Sequence, residues 1–97
     1  MDDRFASLRK STEVALLRTA GATAEELRVA VAAGRAPDGL VVLVDKIRRS
    51  ASTVTDKDLD DLRTQYTEDQ LFEIIVAAAF GAASERLKAA HRALDEA

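Results

Sequence analysis

The sequence contains no cysteine and no tryptophan, a single proline, and aromatic residues at only 4%. Without cysteine the chain can form no disulfide and has no thiolate to act as a nucleophile or a metal ligand. This composition agrees with a reducing environment, so we expect a cytoplasmic protein. Because aromatic side chains are so scarce, the core must be built from leucine, valine, isoleucine and alanine, whose small members let helices approach closely.

The sequence also lacks long apolar runs and a strong charge of one sign. No run approaches the roughly 20 apolar residues that a membrane-spanning helix needs, and the chain opens with Asp2 and Asp3 rather than with a basic export signal. The net charge is −3, with basic and acidic residues interspersed, so there is no large positive field to attract nucleic acid. We therefore expect neither membrane insertion nor a nucleic-acid partner.

The pattern along the chain predicts one all-α domain over residues 1–97, with about five helices in an antiparallel bundle. No segment shows a useful strand alternation or a hairpin turn signal. The first helix is predicted within residues 3–20, with partly mobile first turns and with Gly21 as its left-handed C-cap. The residues predicted to share one side of this helix are Phe5, Leu8, Ala15, Leu16 and Thr19.

The second and third helices are predicted from their end signals. Thr23 is predicted to cap the second helix while Glu26 reaches back to it, and Gly34 is predicted to end that helix. A turn follows at residues 36–39. The apolar run at residues 40–44 suits a buried strand or a buried helix. We favour a helix, because Asp38 can cap it and a lone strand would have no neighbour.

Two further cap signals define the last third of the chain. Thr55 is predicted to begin a short helix with Leu59 and Leu62 on its buried face. Thr67, with Gln70 three residues later, is predicted to begin a helix of about 27 residues and about 40 Å that runs nearly to the C-terminus. Its apolar residues recur at steps of three and four, the helical period. We call this series the apolar stripe: Phe72, Val76, Ala79, Ala83, Leu87, Ala90 and Leu94.

The last helix is longer than a compact domain of this size needs, so part of it is expected to contact another chain. We therefore expect a homo-oligomer, a dimer or higher, assembled through the C-terminal helix; a different protein partner is the alternative. The basic residues Lys46, Arg48 and Arg49 lack interleaved aromatics and are interpreted as a solvated helix end, with phosphate contact the less favoured interpretation. Arg86 cannot pair with its neighbour Glu85 on a helix, and we expect it to pair across an interface.

Few residues are candidates for chemistry, and no cofactor is implied. Aspartates at 56, 58 and 60 are spaced like the start of a calcium loop, but the loop's glycine and glutamate are missing, so we interpret them as a capped helix start rather than a metal site. His91 is the only histidine, which excludes a multi-histidine site within one chain. Ser84 sits among small residues, which indicates a close helix contact rather than a nucleophile.

Glu73 has two interpretations. It follows Phe72 and precedes Ile74 and Ile75, and burial among them would raise its pKa and make it a usable proton carrier. The favoured interpretation is that it complements the helix dipole or pairs with an arginine. No residue is therefore assigned as catalytic.

Residues 54–63 (VTDKDLDDLR) and 66–80 (YTEDQLFEIIVAAAF), followed by Arg86-Leu87, resemble the helix pair of the alkylhydroperoxidase D-like, or carboxymuconolactone decarboxylase, superfamily. The resemblance covers residues 55–94 and implies an all-α fold that assembles into dimers, trimers or hexamers through its long helices. Members with peroxidase-type activity carry a glutamate, a Cys-x-x-Cys pair and a histidine. Aligned on His91, the cysteine positions fall on Ser84 and Leu87, and Glu73 misses the glutamate position by one residue. An alternative register, on the family's cysteine-free helix repeat, also leaves no redox centre.

Thiol peroxidase activity is therefore not expected. Two hypotheses remain, and they belong to different classes. The favoured one is a non-catalytic helical module that assembles with itself or with another protein. The other is a cysteine-independent lyase or isomerase that acts on a small organic acid or lactone, with Glu73 and His91 around a pocket between subunits. These two residues discriminate the hypotheses, because an enzyme requires that they face one cavity.

Overall fold

The computed structural model describes residues 3–18 and 20–96. Over these residues the fold is all-α, as predicted, with no strand. The described residues form five α-helices: α1 (Asp3–Glu13), α2 (Glu25–Ala32), α3 (Val41–Ser50), α4 (Asp56–Asp60) and α5 (Glu68–Glu96). A π-helical turn, Val14–Arg18, follows α1, and short 3₁₀ turns, Asp38–Leu40 and Ala51–Thr53, stand at the two ends of α3. None of the described helices is both long enough and apolar enough to cross a membrane.

The N-terminal half of α5 is the centre of the fold, and α2 and α3 pack against it. We call its buried side the core face: Leu71, Ile74, Ala77, Ala78, Gly81 and Ala82. These residues meet Val31 of α2, Leu43 of α3 and other aliphatic side chains in one cluster. The core is aliphatic and rich in alanine, as the composition predicts.

Gly81 sets how closely α2 approaches α5. A Cβ atom placed on Gly81 would lie 1.9 Å from the backbone oxygen of Ala32 and 2.6 Å from its carbonyl carbon. These are backbone atoms of a helix end and cannot turn away as a side chain can. Glycine is therefore required at this crossing by packing.

The predicted cap at Thr55 and the predicted capping box at Thr67 are confirmed, and the structure shows that the cap at Thr55 is a capping box as well. The hydroxyl oxygen of Thr55 accepts from the backbone N–H of Asp58 at 3.3 Å, and the Asp58 carboxylate accepts from the backbone N–H of Thr55 at 2.9 Å. Thr67 and Gln70 make the same reciprocal pair at 3.1 and 2.8 Å. These caps satisfy backbone donors that a helix start leaves unpaired. Leu62 is buried and Leu59 half-buried, as predicted for the short helix.

The start of α2 differs from the prediction. The helix begins at Glu25, and its cap residue Ala24 makes no side-chain cap hydrogen bond. The predicted capping box of Thr23 and Glu26 is wrong, because the Thr23 hydroxyl donates to a carboxylate on α5 instead. The end of the helix is as predicted, since Gly34 adopts the left-handed conformation with φ of 80°.

The apolar run after the turn is helical, as favoured, and α3 buries Leu43, Val44 and Ile47. Leu40, in the preceding 3₁₀ turn, is also buried. The predicted cap by Asp38 is wrong, because neither the 3₁₀ turn nor α3 has a side-chain cap hydrogen bond. The 3₁₀ turn itself begins the helix and takes the place of the cap.

The N-terminal segment is attached to the core through its π-helical turn. Leu17 is buried there, whereas Leu8 on α1 is 67% exposed and Ala15 is exposed. The predicted buried side is therefore wrong at these positions, because a π turn is wider than an α turn and shifts which residue faces the core. The predicted positions Thr19 and the Phe5 side chain lie outside the described part of the chain. Gly21 does not take the predicted left-handed conformation.

Candidate functional site

Glu73, in the second turn of α5, binds the segment that precedes α2. Its carboxylate accepts hydrogen bonds from the backbone N–H of Ala22 at 2.6 Å, the backbone N–H of Thr23 at 2.9 Å and the Thr23 hydroxyl at 2.6 Å. The guanidinium of Arg28, a buried side chain of α2, lies 3.8 Å away. A Cβ atom on Gly21 would lie 2.7 Å from both the Arg28 and the Glu73 side chains. The glycine therefore makes room for this ion pair.

This environment favours the charged form of Glu73. The Thr23 hydroxyl, followed by the backbone N–H groups of Ala22 and Thr23, lowers the pKa of Glu73; burial opposes this effect and the Arg28 charge adds to it. The less favoured interpretation, in which burial raises the pKa of Glu73, is wrong, because the carboxylate is surrounded by donors and not only by apolar side chains. The favoured interpretation, pairing with an arginine, is confirmed. Glu73 is a structural anchor between α5 and α2.

His91 lies far from this anchor in the same chain. Glu73 and His91 are 18 residues apart on one helix, which places them about 27 Å apart along its axis. His91 is about one third exposed, and its Nε2 atom is 3.6 Å from a carboxylate oxygen of Asp95 in the next turn. The carboxylate and the imidazole therefore share no cavity within one chain.

Asp58, one of the aspartates of the short helix, binds groups of its own chain. The Asp58 carboxylate accepts from Lys46 at 2.8 Å as well as capping α4. The hydrogen bond from Lys46, followed by the Thr55 backbone N–H, lowers the pKa of Asp58. Within residues 3–18 and 20–96, no group of three or more histidines or carboxylates is placed to hold a metal ion.

The basic residues of α3 contact their own chain. Arg48 donates to the backbone oxygen of Ala32 at 2.7 Å and pairs with Glu85 of α5. Arg86 donates to the backbone oxygen of Arg48 at 2.5 Å, a contact within the chain. Its pairing across an interface stays a prediction. Arg49 pairs with Asp45 one turn earlier on the helix. The contacts of Arg48 and Arg86 join the end of α3 to the middle of α5.

A cleft of about 460 Å³ lies between the N-terminal segment and α5. Leu17 and Phe80 contribute apolar surface, and Arg9, Ser84 and Lys88 contribute polar groups. No histidine lines the cleft, so the Ser84 hydroxyl has no imidazole to activate it as a nucleophile. Neither Glu73 nor His91, the pair that the enzyme hypothesis requires, lines this cleft.

The apolar stripe of α5 faces away from the core. Phe72 is 66% exposed, Leu87 37% and Leu94 68%. Its alanines are exposed and Val76 is half-buried. Phe72 and the buried Ile74 are two residues apart, about 200° around the helix, so the stripe and the core face lie on opposite sides of α5.

The core face ends at Ala82, whereas the stripe continues for the full length of α5. Beyond Ala82, the positions that continue the core face by helical spacing are exposed and mostly charged: Glu85, Lys88, Ala89, Arg92 and Glu96. The stripe stays apolar over the same turns, through Leu87 and Leu94. In the C-terminal half of the helix the large apolar side chains, Leu87 and Leu94, therefore lie on the stripe, while the continued core face carries charges and one alanine. This stripe is the candidate functional surface.

Sequence reasoning located the stripe but missed two residues of the Glu73 anchor. Thr23 was interpreted as a helix cap, and Arg28 was given no role. The signal for Arg28 is its place between Leu27 and Val31, on the side of α2 that faces the core, where an unpaired charge would be costly.

No protein-family model matches the chain, and the searches of curated proteins and of solved structures returned no significant match.

Proposed function

We propose that this protein is a non-catalytic helical module that assembles with itself through the apolar stripe of α5. The observation that carries the proposal is the change at Ala82, where the core face gives way to charged residues while the stripe continues to Leu94. Apolar side chains in a continuous series that the core of their own subunit does not bury mark a surface for contact with another molecule. The resemblance to the carboxymuconolactone decarboxylase superfamily agrees, since it implies assembly through long helices.

The side chains of the stripe set the expected strength of this assembly. Covering Phe72 or Leu94 completely is worth about 1.5–3 kcal/mol each, and both are roughly two thirds exposed in the single chain. Association costs about 4–15 kcal/mol in lost freedom of motion. Two thirds of that figure for each of the four such side chains in a pair gives about 4–8 kcal/mol, which lies in the lower part of the range of that cost. We expect an assembly that depends on concentration and dissociates on dilution.

The polar groups of the chain support a non-catalytic role. Glu73 holds its charge in a set of hydrogen bonds to Ala22 and Thr23. The hydrogen bonds to Thr23 and Ala22 lower the pKa of Glu73, which favours its charged form and disfavours a role as a general acid near neutral pH. His91 has no carboxylate of the anchor within reach in one chain. The lyase or isomerase hypothesis therefore has no assembled site in the single subunit.

Light scattering over a dilution series, with a matched pair of variants, tests the proposal. Leu94 lies in the stripe and is 68% exposed, while Leu8 lies on α1 and is 67% exposed. We expect the wild-type mass to rise from 10.5 kDa toward a multiple of it as concentration rises. Leu94→Gln should shift this transition to at least about tenfold higher concentration, the equivalent of 1.4 kcal/mol, and Leu8→Gln should not.

Two results would count against self-assembly. A mass of one chain at all concentrations up to about 100 μM would contradict the proposal. Equal effects of Leu8→Gln and Leu94→Gln would show that the stripe is not the contact surface. Circular dichroism spectra of both variants should match the wild type, because neither side chain belongs to the core.

A further inference from the structure

We propose that two copies pair through α5 in antiparallel orientation, about a twofold axis that passes beside Ala83. This inference rests on the proposed self-assembly and adds to it the occupant of the stripe, the direction of the pair and its register. It follows from the spacing of the stripe, the sizes of its side chains, and the way each subunit covers only one half of its own helix.

The spacing of the apolar residues in the stripe is symmetric about Ala83. Phe72 and Leu94 each lie eleven residues from Ala83, Val76 and Ala90 each lie seven, and Ala79 and Leu87 each lie four. A twofold axis at Ala83 reverses the direction of the second helix and exchanges the two members of each pair. Every apolar position of the stripe then meets an apolar position of the copy. A contact of this kind uses the same patch on both subunits, as twofold interfaces do.

The side-chain sizes also match this arrangement. Phe72 would face Leu94 of the partner subunit, so a large apolar side chain meets another at each end of the contact. The centre is built from small residues, with Ala83 facing its own copy and Ala79 facing Leu87 of the partner subunit. Small residues at the middle of a helix pair let the two backbones approach closely.

The antiparallel direction places uncovered surface against uncovered surface. The C-terminal half of α5, residues 83–96, has no buried residue, and α1 lines a cleft beside Ser84 and Lys88. In the antiparallel pair, this half lies along the stripe of the N-terminal half of the copy, and the two subunit bodies stand at opposite ends. A parallel pair would instead align the helix dipoles and place Glu68 and Asp69 beside their own copies.

Engineered cysteines test the register directly, because the chain has none of its own. Phe72→Cys and Leu94→Cys are made in separate chains that differ in size by a tag, mixed at a concentration where the wild type is assembled, and oxidised. We expect a disulfide between the two different chains. Leu94→Cys alone should not cross-link, because the two copies of residue 94 would be about 33 Å apart, far beyond the roughly 7 Å that a disulfide spans.

A second pair of cysteine variants keeps Phe72 in place, so that its substitution cannot be the cause of a failure to assemble. Ala79→Cys with Leu87→Cys reports the same register and keeps both large side chains at the ends. A disulfide between these two chains supports the inference. Self-linked Leu94→Cys or Leu87→Cys, in a protein whose mass shows assembly, would overturn the antiparallel register. Assembly with neither mixed disulfide would overturn it too, while a mass of one chain throughout would refute self-assembly itself.

Discussion

The two halves of α5 differ in how their own chain covers them. In residues 68–82 the helix has a buried core face opposite an exposed apolar stripe, and Gly81 allows α2 to approach within contact of the backbone. In residues 83–96 the stripe continues, but the positions of the core face become charged and exposed. A helix that only filled the core would lose its apolar residues where the core ends. The second half of α5 keeps them, which indicates a second surface to cover.

The strongest test of this difference compares Ile74→Ala with Phe72→Ala. Ile74 is fully buried, so its truncation should lower the free energy of unfolding by about 2–5 kcal/mol. Phe72 is larger but faces away from the core, and its truncation should cost less than about 1 kcal/mol in the single chain. Urea unfolding at a concentration low enough to dissociate any assembly measures both. Comparable losses would mean that the stripe is part of the core.

The close approach of α2 to α5 can be tested at Gly81. Gly81→Ala should lower the free energy of unfolding by about 3 kcal/mol, because the added methyl group would overlap the backbone of Ala32. Helix propensity alone predicts the opposite sign, a gain of about 1 kcal/mol. Gly39→Ala is the control, since the nearest atom to its new Cβ would be 3.8 Å away. A stabilising Gly81→Ala would show that the two helices are not in contact there.

The Glu73 anchor should make a smaller and pH-dependent contribution. Glu73→Gln should lower the free energy of unfolding by about 1–2 kcal/mol near pH 7, because it removes the charge that Thr23, Ala22 and Arg28 stabilise. Its pKa is lowered in the folded chain, so this stability is fully present above the ordinary glutamate value of 4.5 and is lost as pH falls through the folded pKa.

Urea unfolding of the wild type and Glu73→Gln from pH 7 to below pH 4 measures this contribution. The difference between the two proteins should shrink as pH falls. Asp69→Asn serves as the control, since Asp69 is an exposed carboxylate in the turn before Glu73. A difference that stays constant with pH would show that the Glu73 charge does not anchor α5 to α2.

Local sequence patterns predicted most of the fold. The helix caps at Thr55 and Thr67 depend on residues three positions apart, so they could be predicted from the sequence and are confirmed. Gly34 ends α2 for a reason that is equally local, its tolerance of a positive φ. The helix at 41–50 followed from excluding a lone strand, which is also an argument about the sequence alone.

The errors arise where distant residues compete with a local pattern. The Thr23 hydroxyl could have capped α2, but it donates to Glu73, 50 residues away. The same contact supplies Glu73 with donors that the neighbouring Phe72 and Ile74 do not suggest, so its pKa falls and does not rise. Gly21 was interpreted as a cap, whereas its role is to leave room for two side chains. Such contacts depend on how α5 meets α2, which spacing along the chain does not reveal.

Whether a second copy covers the stripe can be measured most directly from the reactivity of a single introduced cysteine thiol. Ala79→Cys places it in the stripe, and Ala89→Cys places it about 120° around the same helix from the stripe centre. Both alanines are exposed. We expect the rate of thiol labelling at residue 79 to fall as protein concentration rises, while the rate at residue 89 stays constant. Equal rates at residues 79 and 89 over the whole concentration range would contradict the claim that a second copy covers the stripe.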